Sequence, residues 1–312
     1  MWAGPESVFV VNDNGGDGFD FYKLIGRETW VTQGALNQSN VPPNQIDPTV
    51  PADRRALASI KQTDLLVLGI AQWPQGVFAT PLDVNGRAAL YSFGFLLRRA
   101  AADLLDVDER ELKVGLRVVR EATGQVTGQV FISDSLENGA GYSSRLGRPA
   151  EMQNLLEYVT GVSSPDFYAH FVSPRHSNDC QTSCPDCVRD FSNLAFHNIL
   201  DWRLGLDLAR LALDATAPID FNVAYWQPLA VIVSNAHFDA QPGWQNQSFA
   251  GVPAGRRSNH VQIVTHPLWI RDRNNPPSWC SALTNAHAAA AASGATRIDF
   301  RTLFDVLRRP YA

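Results

Sequence analysis

Short runs of hydrophobic residues alternate with turn-forming residues near the start of the chain. SVFVV (residues 7–11) and FDFYK (residues 19–23) lie on either side of NDNGGDG. Asn, Asp and Gly adopt the left-handed conformations that tight hairpin turns need, so this pattern predicts a β-hairpin over residues 7–23. Residues 38–53 are rich in Asn, Pro and Gln and predict a loop.

The next part of the chain has the pattern of a strand followed by a long helix. The apolar segment TDLLVLGI (63–70) is typical of a buried strand. Residues 86–106 carry apolar side chains at helical intervals, with Arg98 and Arg99 on the opposite face.

A second group of predicted elements follows. Residues 111–135 predict two strands joined by a Gly-containing turn, and LENGAGYSSRLG then opens a helix. Further helices are predicted over 149–160 and 194–213. Arg203 and Asp207 have the spacing of an i,i+4 pair, which indicates a solvent-exposed face on the last helix.

The pattern changes after Ala217. We predict strands over about 228–234 and 260–265, an Ala-rich helix over 281–293 and a short helix near 301–308.

Together these elements predict an α+β fold: a mixed sheet with packed helices, followed by a smaller α/β C-terminal segment of unknown role. The expected division is an N-terminal β-hairpin and loop region over 1–59, a central domain over 60–215 and the C-terminal segment over 216–312.

Composition and charge narrow the class of protein. The 312 residues are 45% hydrophobic and 18% charged, as in globular proteins. The apolar runs are far shorter than the roughly 20 residues of a membrane-spanning helix, and no signal segment opens the chain, so we expect a soluble, cytoplasmic protein. A net charge of -5 argues against a surface that is basic throughout and wraps nucleic acid, although it leaves room for a local basic strip.

Candidate metal chemistry is concentrated in HSNDCQTSCPDC. This segment gives the spacing His176-x3-Cys180-x3-Cys184-x2-Cys187. Thiolates and imidazoles are the donors that zinc prefers, and four of them complete a tetrahedral shell without water. The pattern therefore predicts a structural zinc loop rather than a hydrolytic zinc site, and it makes the region 60–215 a zinc-binding domain.

The fourth ligand is open at this stage. His176 is favoured by proximity, His197 could fold back over the loop from the next helix, and Cys280 could reach it from the C-terminal part of the chain. The competing interpretation is a loop of free cysteines or one disulfide. A thioredoxin-type CPDC does not fit, because that motif should open a helix directly after a strand.

Taken together, several motifs resemble a known family. FISDSLENGAGY, the Cys/His cluster with its CPDC, and N-x3-H-x2-LDWRL-x-LDLA are similar to the MrfA-type zinc-binding domain found at the C-terminal end of DEAD/DEAH-box helicases and in the DrmB protein of the DISARM anti-phage system. The upstream helix with its Leu-Asp-Val ending is also similar, so the resemblance covers about residues 60–213. Several family members bind the zinc with four cysteines, whereas the cluster of this chain offers three cysteines and a histidine.

The resemblance implies a non-catalytic accessory subunit that works with a helicase partner, with DNA as a further contact, in anti-phage defence or DNA processing. The sequence contains neither a GxxxxGK[ST] phosphate loop nor a nucleophile motif. We therefore expect the motor on a separate chain. Two alternatives are a metal-dependent nuclease that uses Asp134 and Glu137, and a purely structural scaffold in a larger complex.

Two further positions have chemical interest. The Gly-rich turn ENGAGY could present the backbone of Asn138, Gly139 and Gly141 to an anion or a nucleic acid, or could serve only as a tight turn between strand and helix. His266 follows an apolar strand, and we expect it to be a hydrogen-bonded structural residue.

Overall fold

The computed structural model describes residues 1–32, 34 and 43–308. They form two compact units. The smaller unit is Pro5–Thr63, and the larger one combines Met1–Gly4 with the chain from Asp64 onward. The domain boundaries that the sequence analysis places near residues 60 and 216 stay a prediction.

The smaller unit contains a three-stranded antiparallel sheet in the order β3-β2-β4. Its strands are β2 (Phe19–Lys23), β3 (Trp30–Thr32) and β4 (Asp53–Arg55). Asp20 on β2 and Arg54 on β4 form an ion pair at 2.8 Å across the sheet.

The predicted hairpin over 7–23 is wrong. Strand β1 (Trp2–Asn12) is next to β5 (Leu57–Leu68) in another sheet and does not pair with β2. The turn itself is present, since Asn14–Gly16 form a 3-10 turn in which Asn14 and the glycines have positive φ. Of the loop predicted over 38–53, residues 38–42 lie outside the described residues; Pro43–Gln45 form a 3-10 turn, and Asp53 begins β4.

A four-stranded sheet has the order β1-β5-β7-β6, in which β6, β7 and the end of β5 from Asp64 onward belong to the larger unit. Strands β6 (Leu112–Arg120) and β7 (Val126–Asp134) pair antiparallel along their whole length, and Leu65–Leu68 of β5 pair antiparallel with β7. These strands confirm the sequence predictions for 63–70 and 111–135.

Helix α1 (Val84–Leu105) packs on one face of this sheet. It begins at Asp83, whose side chain accepts from the Gly86 N–H, and ends at Asp106 in the left-handed conformation. Gly94 permits the close approach, because a Cβ atom there would lie 2.6 Å from Val114 and 2.8 Å from Val130.

Five helices follow the sheet in the chain. They are α2 (Tyr142–Leu146), α3 (Pro149–Thr160), α4 (Pro165–Val172), α5 (Pro174–Asp179) and α6 (Trp202–Leu213). The predicted helix over 194–213 starts later than expected, after a separate 3-10 segment at Phe191–Phe196. Helix α6 lies against α1, where a Cβ on Gly205 would be 2.9 Å from the Ser92 carbonyl oxygen.

The last part of the chain adds a mixed sheet and three helices. The sheet order is β11-β10-β9-β8, in which β10 pairs parallel with β11 and antiparallel with β9. The elements are α7 (Gln227–Asp239), β8 (Gln245–Phe249), β9 (Val252–Arg257), β10 (His260–Thr265), α8 (Ser281–Ala292), β11 (Arg297–Thr302) and α9 (Leu303–Arg308). Helices and mixed sheet confirm the predicted α+β class. The strand predicted at 228–234 is wrong: Pro228 occupies the first turn of α7, where its missing N–H costs nothing.

The predicted solvent-exposed face of α6 is also wrong. Arg203 and Asp207 are both buried, and they do not pair with each other. The Asp207 carboxylate instead accepts from Tyr225 Oη at 2.6 Å, Trp226 Nε1 at 2.9 Å and His266 Nε2 at 3.1 Å. Residues later in the chain thus cover this face, and His266 is a buried hydrogen-bonded residue, as predicted.

Within the described residues, no helix is both long enough and apolar enough to cross a lipid bilayer.

Candidate metal centre

The first ligand lies on helix α5. Ser173 caps this helix through its hydroxyl, which accepts from the His176 N–H at 3.3 Å, and Pro174 fixes the first helical position. The helix ends where the Cys180 N–H donates to the His176 carbonyl oxygen at 2.8 Å. One short helix therefore holds His176 and Cys180 at its two ends.

The other two ligands lie on the CPDC turn. The N–H groups of Cys187 and Arg189 both donate to the Cys184 carbonyl oxygen at 3.1 Å. The Cys184 N–H in turn points at Cys187 Sγ, 3.0 Å away. Such N–H donors favour thiolate over thiol, so the backbone of the turn is arranged for charged sulfur.

The four donor atoms of His176, Cys180, Cys184 and Cys187 all lie within 4.8 Å of one another. The Sγ atoms of Cys180 and Cys187 are 3.8 Å apart, and Cys184 Sγ is 3.4 Å from His176 Nε2. Ligand bonds of about 2.3 Å to sulfur and about 2.0 Å to nitrogen, in a tetrahedron, separate such atoms by roughly 3.5–3.8 Å. The donor set therefore fits zinc in both chemistry and spacing.

The orientation of the His176 ring is fixed by its second nitrogen. Nδ1 lies 2.9 Å from the carbonyl oxygen of Phe171. A carbonyl can only accept, so Nδ1 carries a proton, and in the neutral imidazole that ligates a metal Nε2 presents its lone pair to the cysteines. The ring also packs against Trp202, with centroids 5.3 Å apart.

The three thiols differ in their electrostatic surroundings. Hydrogen bonds from Cys180, His176 and the backbone lower the pKa of Cys187 to about 4, against the opposing effect of burial. The hydrogen bond to Cys187 and burial raise the pKa of Cys180, and burial raises that of Cys184. Burial acts to lower the pKa of His176, but the hydrogen bonds to Cys187 and Phe171 outweigh it and the net shift is upward.

Arg203 holds the ligand loop against helix α6. Its guanidinium donates to the carbonyl oxygens of Gln181 at 2.9 Å, Ser177 at 3.3 Å and Cys180 at 3.4 Å, and its Nε donates to Tyr225 O at 2.8 Å. The guanidinium carbon also lies 4.1 Å from the centroid of the Trp202 ring.

Two arginines of helix α1 hold the loop from the other side. Arg99 donates to the carbonyl oxygens of Cys187 at 2.6 Å and Pro185 at 3.3 Å. Arg98, which is buried, forms ion pairs with Asp190 and Glu109. Both arginines, which the sequence places on the face opposite the apolar one, are thus used within the protein.

The structure separates the three candidates for the fourth ligand. Only His176 belongs to the cluster among the described residues. His197 Nε2 instead lies 2.8 Å from Asn193 Oδ1 and 3.0 Å from the Asp190 carbonyl oxygen. Cys280 is buried before helix α8, outside the cluster.

The loop 137–142 is closed by carboxylates of the same chain. Asp134 is buried and accepts from the N–H groups of Ala140, Tyr142 and Ser143 at 2.7–3.1 Å. These bonds make Asp134 a structural carboxylate, which weakens the nuclease alternative.

The backbone N–H groups predicted to contact an anion, at Asn138, Gly139 and Gly141, are also partly used within the chain. The Gly141 N–H donates to Asp64 at 3.1 Å, and the Gly139 N–H donates to the Leu136 carbonyl oxygen at 3.2 Å. Two of the expected donors are thus engaged within the chain, so this contact stays a prediction that the geometry disfavours.

Sequence reasoning missed the residues that support the ligands. Arg99, Arg203 and the Phe171 carbonyl lie on helices that neighbour the cluster, and nothing in their local spacing distinguishes them from surface positions. The one usable signal was the alternation of Arg203 with apolar residues in LDWRLGLDL, since a helix that is apolar on several sides is usually buried.

Comparison with known families agrees with this geometry. Residues 93–188 match the family model described as the MrfA Zn-binding domain. The matched segment contains all four members of the Cys/His cluster. The resemblance seen in the sequence is thus confirmed over this segment, and the cluster is a zinc site of the structural type.

Similar proteins include one curated relative and two solved structures. The chain is 30% identical over 165 residues to Druantia protein DruE of Escherichia coli (strain UMEA 4076-1), a match over 50% of this chain and 8% of that protein's length. A crystal structure of DUF1998 helicase MrfA bound to DNA and AMPPNP matches at a TM-score of 0.32 with 14% identity, over 52% of this chain and 17% of that one. A second crystal structure of MrfA bound to DNA also gives 0.32, with 9% identity, over 68% and 25%.

Proposed function

We propose that this chain is a non-catalytic, zinc-stabilised accessory subunit that associates with a DEAD/DEAH-type helicase in the cytoplasm and acts on DNA, in anti-phage defence or a related DNA-processing system. The observation that carries the proposal is the closed cluster of His176, Cys180, Cys184 and Cys187 in a segment that matches the MrfA Zn-binding domain. Four protein donors fill a tetrahedral shell, so the metal contributes folding energy rather than an open catalytic position.

The surroundings of the cluster support a structural role. Arg99 and Arg203 attach the ligand loop to two long helices through backbone carbonyls, and His176 is oriented by Phe171. Loss of the metal would release this loop from both helices at once. A partner that recognises the surface formed here would then lose its binding site.

The partnership is tested by affinity purification of the tagged chain from its native host, with co-purifying proteins identified by mass spectrometry. The proposal predicts a DEAD/DEAH-type helicase in stoichiometric amount with the wild type and its loss with Cys184→Ala. Cys280→Ala serves as the matched control, because Cys280 lies outside the cluster and should retain the partner. If the wild type is recovered without a helicase, the accessory-subunit proposal fails.

A further inference from the structure

The two strands β6 and β7 present a second face, away from helix α1. Val114 lies against Gly94 of α1, so by alternation Lys113, Gly115 and Arg117 point to the opposite side of the sheet. The register places Phe131 directly across from Gly115 on this same face.

Gly115 makes room for the Phe131 ring. A Cβ atom at Gly115 would lie 2.1 Å from Phe131 Cζ and 2.6 Å from Cε1, so the end of the ring occupies the space above the glycine. The ring remains half-buried rather than enclosed. An aromatic ring thus lies across the strand surface, next to Gln129 on β7, which pairs with Arg117.

The charges of this face are uncompensated. Lys113 and Arg117 are exposed, and neither has an ion pair or side-chain hydrogen bond with any of the described residues. Strand β6 carries no acidic residue, and the one acid on β7 is the buried Asp134. By contrast, Arg98, Arg99 and Arg203 are all engaged within the chain.

The spacing of these groups suits a single strand of nucleic acid. Lys113 and Arg117 are separated by about 13 Å along the strand, at about 3.3 Å per residue, and the Phe131 ring lies at the residue midway between them. Single-stranded nucleic acids bind where an aromatic ring stacks on a base and nearby cations contact the phosphates. A duplex keeps its bases paired and offers no free base to the ring.

We infer that the β6/β7 face, formed by Lys113, Gly115, Arg117, Gln129 and Phe131, binds single-stranded DNA. The surface is separate from the zinc cluster, and the inference rests on the proposed function only in the choice of DNA as the polymer. Phe131 stacks on a base, and Lys113 and Arg117 contact the flanking phosphates. Binding is tolerant of sequence, because every base has a face that can stack.

The test is fluorescence anisotropy of a labelled oligo-dT strand with the full chain at low and moderate salt. Arg117→Glu should weaken binding about tenfold. It should also reduce the magnitude of the negative slope of log K against log salt by about 0.7, as expected for one lost phosphate contact. Arg120→Glu is the matched control: the same charge change lies on the same strand but points to the opposite face, and it should leave the affinity within about twofold. Phe131→Leu should weaken binding about fivefold or more through lost stacking.

Circular dichroism and zinc content establish that each variant is folded before its affinity is compared. Should Phe131→Leu fail this check, the exposed Arg117 and Arg120 pair decides the question alone. Equal losses in Arg117→Glu and Arg120→Glu, or no binding of oligo-dT by the wild type at low salt, would overturn the inference. A wild type that retains its helicase partner but does not bind oligo-dT overturns this inference and leaves the helicase association intact. A wild type that binds oligo-dT but is recovered without a helicase overturns only the proposed function.

Discussion

The Nδ1 atom of His176 lies 2.9 Å from the carbonyl oxygen of Phe171, and this contact determines which nitrogen faces the cysteines. In the neutral ring the proton must be on Nδ1, which leaves the Nε2 lone pair 3.4 Å from Cys184 Sγ. A carbonyl of the preceding helix therefore orients this histidine ligand. The same residue would be hard to replace by a cysteine, which could not reach that carbonyl and the cluster together.

Removal of one thiolate should release the metal and destabilise the protein. Cys184→Ala is expected to lose stoichiometric zinc and to lower the free energy of unfolding by about 3 kcal/mol or more, because metal binding and folding of the loop are coupled. Zinc analysis by plasma mass spectrometry and urea unfolding measure the two effects.

The corresponding change outside the cluster is the control. Cys280→Ala removes a buried thiol that is not among the metal-binding residues, so it should keep its zinc and lose only about 1–2 kcal/mol from the small cavity. A Cys184→Ala protein with the zinc content and stability of Cys280→Ala would count against a structural metal.

Arg203 should be needed for its shape as well as its charge. A lysine at this position cannot reach the carbonyl oxygens of Ser177, Gln181 and Tyr225 together, and it cannot stack its head group on Trp202. We expect Arg203→Lys to lower the free energy of unfolding by about 2–4 kcal/mol, since buried carbonyls lose their donors.

Arg175→Lys provides the comparison, because Arg175 is exposed on helix α5 and its replacement should change stability by less than about 0.5 kcal/mol. Thermal unfolding of the two variants side by side checks this prediction. Equal melting temperatures would show that the contacts of Arg203 contribute little.

Asp201 should make the stability depend on pH. This residue caps α6 and is buried, and burial raises its pKa from 3.8 to about 6. A carboxyl group whose pKa is raised on folding favours the folded state most below its unfolded pKa, and that contribution is lost as the pH rises through about 6.

Asp201→Asn removes the titration and keeps a side-chain oxygen for the cap. The stability of the variant relative to the wild type should therefore rise by about 3 kcal/mol between roughly pH 4 and pH 6, from 1.36 kcal/mol per pKa unit. Urea unfolding at several pH values gives this difference, in which the titrations that both proteins share cancel. A stability difference between the two proteins that stays constant across this pH range would contradict a buried Asp201 carboxyl with a raised pKa.

The sequence predicted the elements whose pattern is local. Helix α1 and the pair β6 and β7 follow from apolar periodicity, and the His/Cys spacing predicted the four side chains that the structure brings together, because zinc chemistry restricts donor types so strongly. The α7 region was mistaken for a strand because Val231, Ile232 and Val233 favour strands, whereas its helical state depends on tertiary context.

Long-range relations could not be predicted in this way. β1 lies next to β5, about 50 residues further along the chain, although a good turn sequence follows it directly. The polar face of α6 is buried because Tyr225 and His266 bring partners for Asp207 from distant positions. The pairing of β1 with β5 has no local sequence signal, and the apolar residues of LDWRLGLDL indicate a buried helix without identifying the partners of Asp207.

Zinc content of the His176→Ala and His197→Ala proteins tests the central claim most directly. The structure predicts that His176→Ala loses most of its zinc, because Nε2 is one of the four donors, and that His197→Ala retains about one zinc per chain, since its Nε2 contacts Asn193 and the Asp190 carbonyl instead. A His176→Ala protein that keeps stoichiometric zinc while His197→Ala loses it would contradict the ligand set and the closed structural site that depends on it.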